Sequence, residues 1–144
     1  MSEANKQVVR SIEEAWDNNK LDELDRYFSP DFAQHSGVPG MPPGLSSAKM
    51  AHQMVMQAFP DRKMQILDII GEGDKVFVRT RVTGHNKGGV AWLGAPEPND
   101  RPIDFESWSV YALKGGKVID HWGLNDAFTA MIQLGSLQPP MPPS

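Results

Sequence analysis

A chain of 144 residues without a single Cys holds one domain with a moderate core and excludes disulfides, thiolate metal sites and a cysteine nucleophile. With 14 Lys and Arg against 18 Asp and Glu, a net charge of -4 and no basic run, it lacks the electrostatic footprint of a nucleic-acid binder. The start MSEANKQVVRSIEE has no basic stretch leading into an apolar one, and no segment reaches the ~18 consecutive apolar residues of a membrane span, so a soluble cytoplasmic protein is expected.

Between Glu3 and Asn18, Val8, Val9, Ile12, Ala15 and Trp16 recur at steps of three and four, which predicts an amphipathic helix. Asn18-Asn19 interrupts it, and Leu21, Leu24, Tyr27 and Phe28 predict a second short helix ending near Pro30. Phe32 and His35 fall in a short extended piece. SGVPGMPPG then forbids helix and has the composition of a loop able to act as a lid. Ser46 or Ser47 can cap a third helix, with Ala51, Met54, Val55, Ala58 and Phe59 on its apolar face, His52 on its polar side and Pro60 closing it.

From Met64 the period changes to two. Met64, Ile66, Asp68 and Ile70 alternate, GEGD makes a turn, and KVFVRTRVTG completes a hairpin. NKGGVAWLGAPEPNDRP is a long irregular connection with Trp92 in its middle, unusual unless functional. IDFESWSVYAL and KVIDHWGL form a second hairpin around Gly115-Gly116, a pair suited to the positive φ angles of a two-residue turn. A last helix starts at Asp126 as N-cap, runs through Phe128, Met131, Ile132 and Leu134, and ends at Gly135. The order of elements reads as α+β: a cone-shaped, curved antiparallel sheet with the N-terminal helices packed over it and a pocket inside. The domain spans residues 1–138, followed by a Pro-rich tail, 139–144.

Several strings resemble the SnoaL-like polyketide cyclase and ester cyclase family of the nuclear transport factor 2-like superfamily. They are LDELDRYFSPDFAQH, QAFPD, IIGEGDKVFVR, WLGAP and GGKVIDHWGLND, in order from about Val8 to Gly135. The resemblance implies a bent-sheet cone with an elongated apolar pocket, usually in a homodimer, without metal or organic cofactor. In cyclase members an acid and nearby His residues move protons during an intramolecular aldol closure. By position, His35 falls where those enzymes place a polar pocket residue after the DF pair, and His121 falls on their HW motif. Where the cyclases are expected to carry their catalytic Asp, directly after that pair, this chain has Gly123.

With Gly115 and Gly116 as the two turn residues, counting back places Val110 opposite His121, Trp108 opposite Gly123 and Glu106 opposite Asn125. A three-residue turn puts Ser109 opposite His121 instead. In the first register His121, Trp108 and Glu106 share one face, and the indole fills the space left at Gly123. The catalytic candidates are therefore His121 and His35 as proton carriers or hydrogen-bond donors, and Glu106 as the replacement carboxylate if burial raises its pKa. Against this, His121 can be a half-buried structural His, His35 a solvent-facing residue before a loop, and Glu106 a strand carboxylate paired with Arg79 or Arg81. Phe32, Met54, Phe59, Trp92, Trp108 and Val110 are the candidate lining of a substrate pocket, although apolar residues at helical spacing are usually plain core. Asp126 reads as a cap, and no His or carboxylate pair has metal-ligand spacing. The expected ligand is a small hydrophobic, polyketide-like or aromatic molecule, turned over by an acid/base cyclase or isomerase. The alternative is a noncatalytic binding or dimerisation module. An epoxide hydrolase of related fold needs paired carboxylates with an Arg, which the sequence alone does not place.

Overall fold

The computed structural model describes residues 2–36 and 40–139. Residues 37–39 of the expected lid and all but the first residue of the expected tail lie outside these. Helix α1, Ser2–Asp17, buries Val9, Ile12 and Ala15 along the stripe that the spacing predicts. The expected second helix is instead a 3-10 turn, Leu21–Arg26, because Phe28 already opens strand β1, Phe28–Gln34. Phe28 and Phe32 meet edge to face with ring centroids 4.7 Å apart, and this core contact fixes the strand. Pro30 is tolerated there because β1 is an edge strand whose pairing breaks between Phe28 and Ala33.

Helix α2, Leu45–Ala58, takes Gly44 as its N-cap without a side-chain cap, so Ser46 and Ser47 lie inside its first turn. Strands β2, Lys63–Glu72, and β3, Lys75–His85, turn at Gly73 with φ +61. Strands β4, Pro102–Lys114, and β5, Lys117–Asn125, turn at Gly115 and Gly116, whose φ of +59 and +78 are those that a two-residue hairpin loop demands. Helix α3, Ala127–Leu134, starts where the Asp126 carboxylate accepts the Thr129 N–H, and Gly135 ends it in the left-handed region.

The five strands form one curved sheet in the order β1-β5-β4-β3-β2, antiparallel except that β1 runs parallel to β5. The α+β architecture with helices over one sheet face is the expected one. The long connection from β3 to β4 is held by Asn86, fully buried. Its side chain donates to the Glu97 carbonyl and Asn99 Oδ1 and accepts from the Gly89 N–H. Two apolar clusters cover the inner face: one around Ile12, Leu24, Val76 and Val118, the other around Phe59, Val82, Ile103 and Leu134. No helix among the described residues is long and apolar enough to cross a membrane.

Candidate functional site

A cavity of about 830 Å³ opens between the helices and the inner sheet face, walled by members of both apolar clusters, including Phe28, Phe32, Phe59 and Ile103. Phe32, Met54, Phe59 and Trp92 all line it, as do His35 and His121. Met54 and Trp92 keep substantial exposure, whereas Phe32 and Phe59 are buried in its wall.

His121 sits beside Tyr111, ring centroids 4.6 Å apart, as cross-strand partners. Its Nδ1 lies 2.6 Å from Gln34 Oε1, while the Gln34 amide nitrogen faces Ser36 Oγ at 3.5 Å. A carbonyl oxygen only accepts, so Nδ1 carries the hydrogen and Nε2 holds the lone pair. That Nε2 is buried without a partner among the described residues. Burial, reinforced by the neighbouring His35, pulls the His121 pKa down to about 4, so the ring is neutral at physiological pH and Nε2 is free to accept. His35 is held at the rim: its Nε2 meets Asp120 Oδ1 at 2.6 Å and its ring stacks on Trp122 at 4.8 Å.

The register differs from the one counted off the sequence. Lys114 does face Lys117 and Leu113 faces Val118, but Ala112 then faces Asp120, leaving Ile119 as an extra residue in β5. Tyr111, not Val110, therefore stands opposite His121, Ser109 opposite Gly123, and Trp108 opposite Leu124. Trp108, Val110 and Glu106 consequently lie on the outer face, away from the cavity, with Trp122 and Leu124 around a second, shallower depression. Glu106 is no replacement acid there. Its carboxylate accepts from Trp108 Nε1 at 2.9 Å and Arg79 Nη1 at 3.0 Å, which hold its pKa below the usual carboxylate value. Nor does the indole fill the space at Gly123: a Cβ there would come within 2.9 Å of His121 Cε1 and 3.2 Å of Ser109 Oγ, so His121 itself takes that space. The Gly123 N–H donates to Ser36 Oγ.

The closed end of the cavity holds groups that the sequence reading passed over. Glu13, only 5% exposed on α1, accepts the Tyr111 hydroxyl at 2.8 Å. Desolvation raises its pKa to about 7, against the opposing pull of Tyr111 and Arg62. His52 is 8% exposed, not on a polar helix side. Its Nδ1 accepts from Arg62 Nη1 at 3.1 Å and its Nε2 donates to Asn19 Oδ1 at 3.1 Å. Burial and the Arg62 charge lower its pKa to about 4. Arg62, 6% exposed, also donates from Nη2 to the Trp16 carbonyl at 2.5 Å. A signal for Glu13 was present: it lies four residues after Val9 and three before Trp16, on the apolar stripe of α1. Arg62, in the turn after α2, gives no periodic signal.

No functionally curated protein matches the chain in sequence. Among solved structures, a candidate polyketide cyclase from Bacillus cereus ATCC 10987 is 28% identical over 90% of this chain and 79% of its own, with a TM-score of 0.76. IdmH, a candidate polyketide cyclase from Streptomyces antibioticus, is 25% identical over 91% of this chain and 98% of its own, TM-score 0.79. AclR, a candidate hydroxylase from Streptomyces galilaeus, is 21% identical over 96% of this chain and 85% of its own, TM-score 0.83, a likeness of fold alone. The family model for SnoaL-like polyketide cyclases matches residues 6–134. With its helix-covered curved sheet and a match across nearly its whole length, the chain belongs to the SnoaL-like polyketide cyclase family.

Proposed function

We propose that the cavity binds a small, largely apolar cyclic molecule and that His121 Nε2 takes a proton from it, or accepts a hydrogen bond, in a cyclisation or isomerisation. The observation that carries this reading is a neutral imidazole whose lone pair is buried, with no partner among the described residues, at the wall of a cavity that also presents aromatic and aliphatic side chains such as Phe32, Phe59 and Ile103. Tautomer and orientation are set by Gln34, so the ring is preorganised as an acceptor. The acid expected after the His-Trp pair is absent at Gly123, so His121 replaces it in this reading instead of assisting it. Ligand-detected change in Trp fluorescence across a panel of polycyclic and aromatic ketones tests binding, and absence of any response defeats it. For a compound that is turned over, His121→Ala lowers the rate by roughly a hundredfold or more, the usual range for a general base. An unchanged rate removes His121 from the chemistry.

The outer sheet face supports a second part of the reading, association with another copy of the chain. Trp108, 53% exposed, and Leu124, 76% exposed, stand with Trp122, Val110 and Phe77 around a depression of the outer sheet face that no described helix lines. Two such faces together would remove a contiguous apolar area that single chains rarely leave in water.

A further inference from the structure

Arg62 is a buried guanidinium in the cavity wall, and no ion pair among the described residues includes it. Its Nη1 and Nη2 donate to neutral acceptors, the His52 ring and the Trp16 carbonyl, and its Nε is buried with no partner among the described residues. A guanidinium stays charged at physiological pH, and an unpaired buried charge is among the costlier things a fold can hold. Asp17 and Glu13 favour its charge through space, but neither makes an ion pair with it among the described residues, so a directly paired anion would offset more of its desolvation.

The charged and titratable groups facing this end come from every element around it. Glu13 and Asp17 lie on α1, His52 on α2, Tyr111 on β4, and His121 on β5 beyond the Tyr111 ring. His52 and His121 are neutral, for the reasons given above. Asp17 is engaged with the Met64 N–H at 2.8 Å, at the start of β2. Glu13 accepts a hydrogen bond from Tyr111 and forms no ion pair among the described residues. On the cavity side this leaves the guanidinium beside a Glu13 carboxyl that is at the edge of protonation.

We propose that the closed end of the cavity holds an anionic oxygen of the ligand, a carboxylate or phenolate, with Arg62 as its counter-ion and Glu13 taking up a proton as the anion binds. The inference rests on the cavity being a ligand site and adds the charge of the ligand to that reading. The apolar walls take the hydrocarbon part of such a molecule, and His121 stands along the same floor, one ring beyond Tyr111. Proton uptake follows from electrostatics: an anion placed between Arg62 and Glu13 disfavours a second negative charge on Glu13, whose carboxyl is already at the edge of protonation because burial opposes its ionised form.

The test compares 2-naphthoate with its neutral isostere, methyl 2-naphthoate, on the intact chain. Affinities are measured calorimetrically from pH 6 to 8.5, in phosphate and in Tris so that proton uptake is read from the difference in heat. The naphthoate is expected to bind roughly ten- to a hundredfold tighter than the ester at pH 6, the range of a charge-assisted hydrogen bond in a buried site. Its affinity should fall towards tenfold per pH unit above about 7, with up to one proton taken up, because binding and ionisation of Glu13 are linked. Glu13→Gln should make the naphthoate affinity independent of pH and abolish the uptake. Arg62→Met should erase the preference for the acid; if that variant fails to fold, the Glu13→Gln comparison alone decides. Equal affinity for acid and ester overturns the inference and leaves the cavity reading standing. Binding of neither defeats both.

Discussion

Glu13→Gln isolates the energetic consequence of placing a carboxyl under α1. Burial lifts its pKa from 4.5 to about 7, so between these values the folded chain keeps a proton that the unfolded chain has released. Below pH 4.5 both states are protonated and the group contributes no pH dependence. As pH rises towards 7 stability falls, and above 7 the loss is complete. At about 1.4 kcal/mol per pKa unit, the accumulated penalty is about 3 kcal/mol. Gln retains an oxygen for the Tyr111 hydroxyl and has nothing to ionise. Urea unfolding of both proteins at pH 5 and pH 8 should therefore show the variant gaining roughly 2–3 kcal/mol on the native chain between the two conditions. His52 and His121 titrate in both proteins, so their effects cancel in the comparison. An offset that is the same at both pH values, or that moves in favour of the native Glu at pH 8, refutes the assignment of a desolvated carboxyl to this site.

The two histidines act in the opposite direction: their folded pKa values of about 4 lie below the ordinary 6.5, so the stability they allow is present above 6.5 and is lost as pH falls towards 4. Replacing His121 by Asn should flatten that acid limb by up to about 3 kcal/mol, read from urea midpoints between pH 7 and 4. Gly123→Asp, which restores a carboxylate after the His-Trp pair, should displace the His121 ring because even its Cβ meets Cε1 at 2.9 Å. We expect a destabilisation of about 1–3 kcal/mol, with changed ring-nitrogen shifts in long-range nitrogen–proton spectra; an unshifted ring shows that the space was free. On the outer face, Trp108→Ser combined with Leu124→Ser should convert a dimer to a monomer in sedimentation without altering far-ultraviolet dichroism. A native chain that sediments as a monomer at all concentrations removes the second-copy reading.

Most of the architecture was legible because it rests on periods. The three-and-four spacing of Val9, Ile12 and Trp16, the Gly115-Gly116 turn and the Asp126 cap are local signals, and each stands where expected. The second helix failed for a nonlocal reason. Leu21 and Leu24 are compatible with a helical turn, but Phe28 and Phe32 gain more by packing against each other at the sheet edge than by continuing it. His52 failed in the same way. By helical spacing His52 falls off the Ala51, Met54, Val55 and Ala58 stripe and on the polar side, yet Arg62, reaching back from beyond Pro60, gives its ring a buried partner.

The site turned on a single residue. Strict alternation from the Lys114–Lys117 pair puts His121 on the face of Val110, which is the outer face, while Val118, opposite Leu113, points into the core. The extra residue at Ile119 resets that parity, so the imidazole turns inward to Tyr111 and the Trp122 indole turns outward to His35 and the apolar surface. No Gly or Pro marks Ile119, and the Val118-Ile119 pair followed by Asp120 reads like any other stretch of strand, so turn chemistry does not announce the extra residue. The same bulge explains why the cavity face and the outer face each receive a complete set of side chains. With it, β4 and β5 send Ser109, Tyr111 and His121 to the cavity and Trp108, Val110, Trp122 and Leu124 outward. Without it, β5 would send Trp122 into the cavity wall and His121 out among the apolar side chains of the outer face, reversing polarity on both. The inward imidazole and the apolar outer surface are thus set together by one unpaired residue in β5.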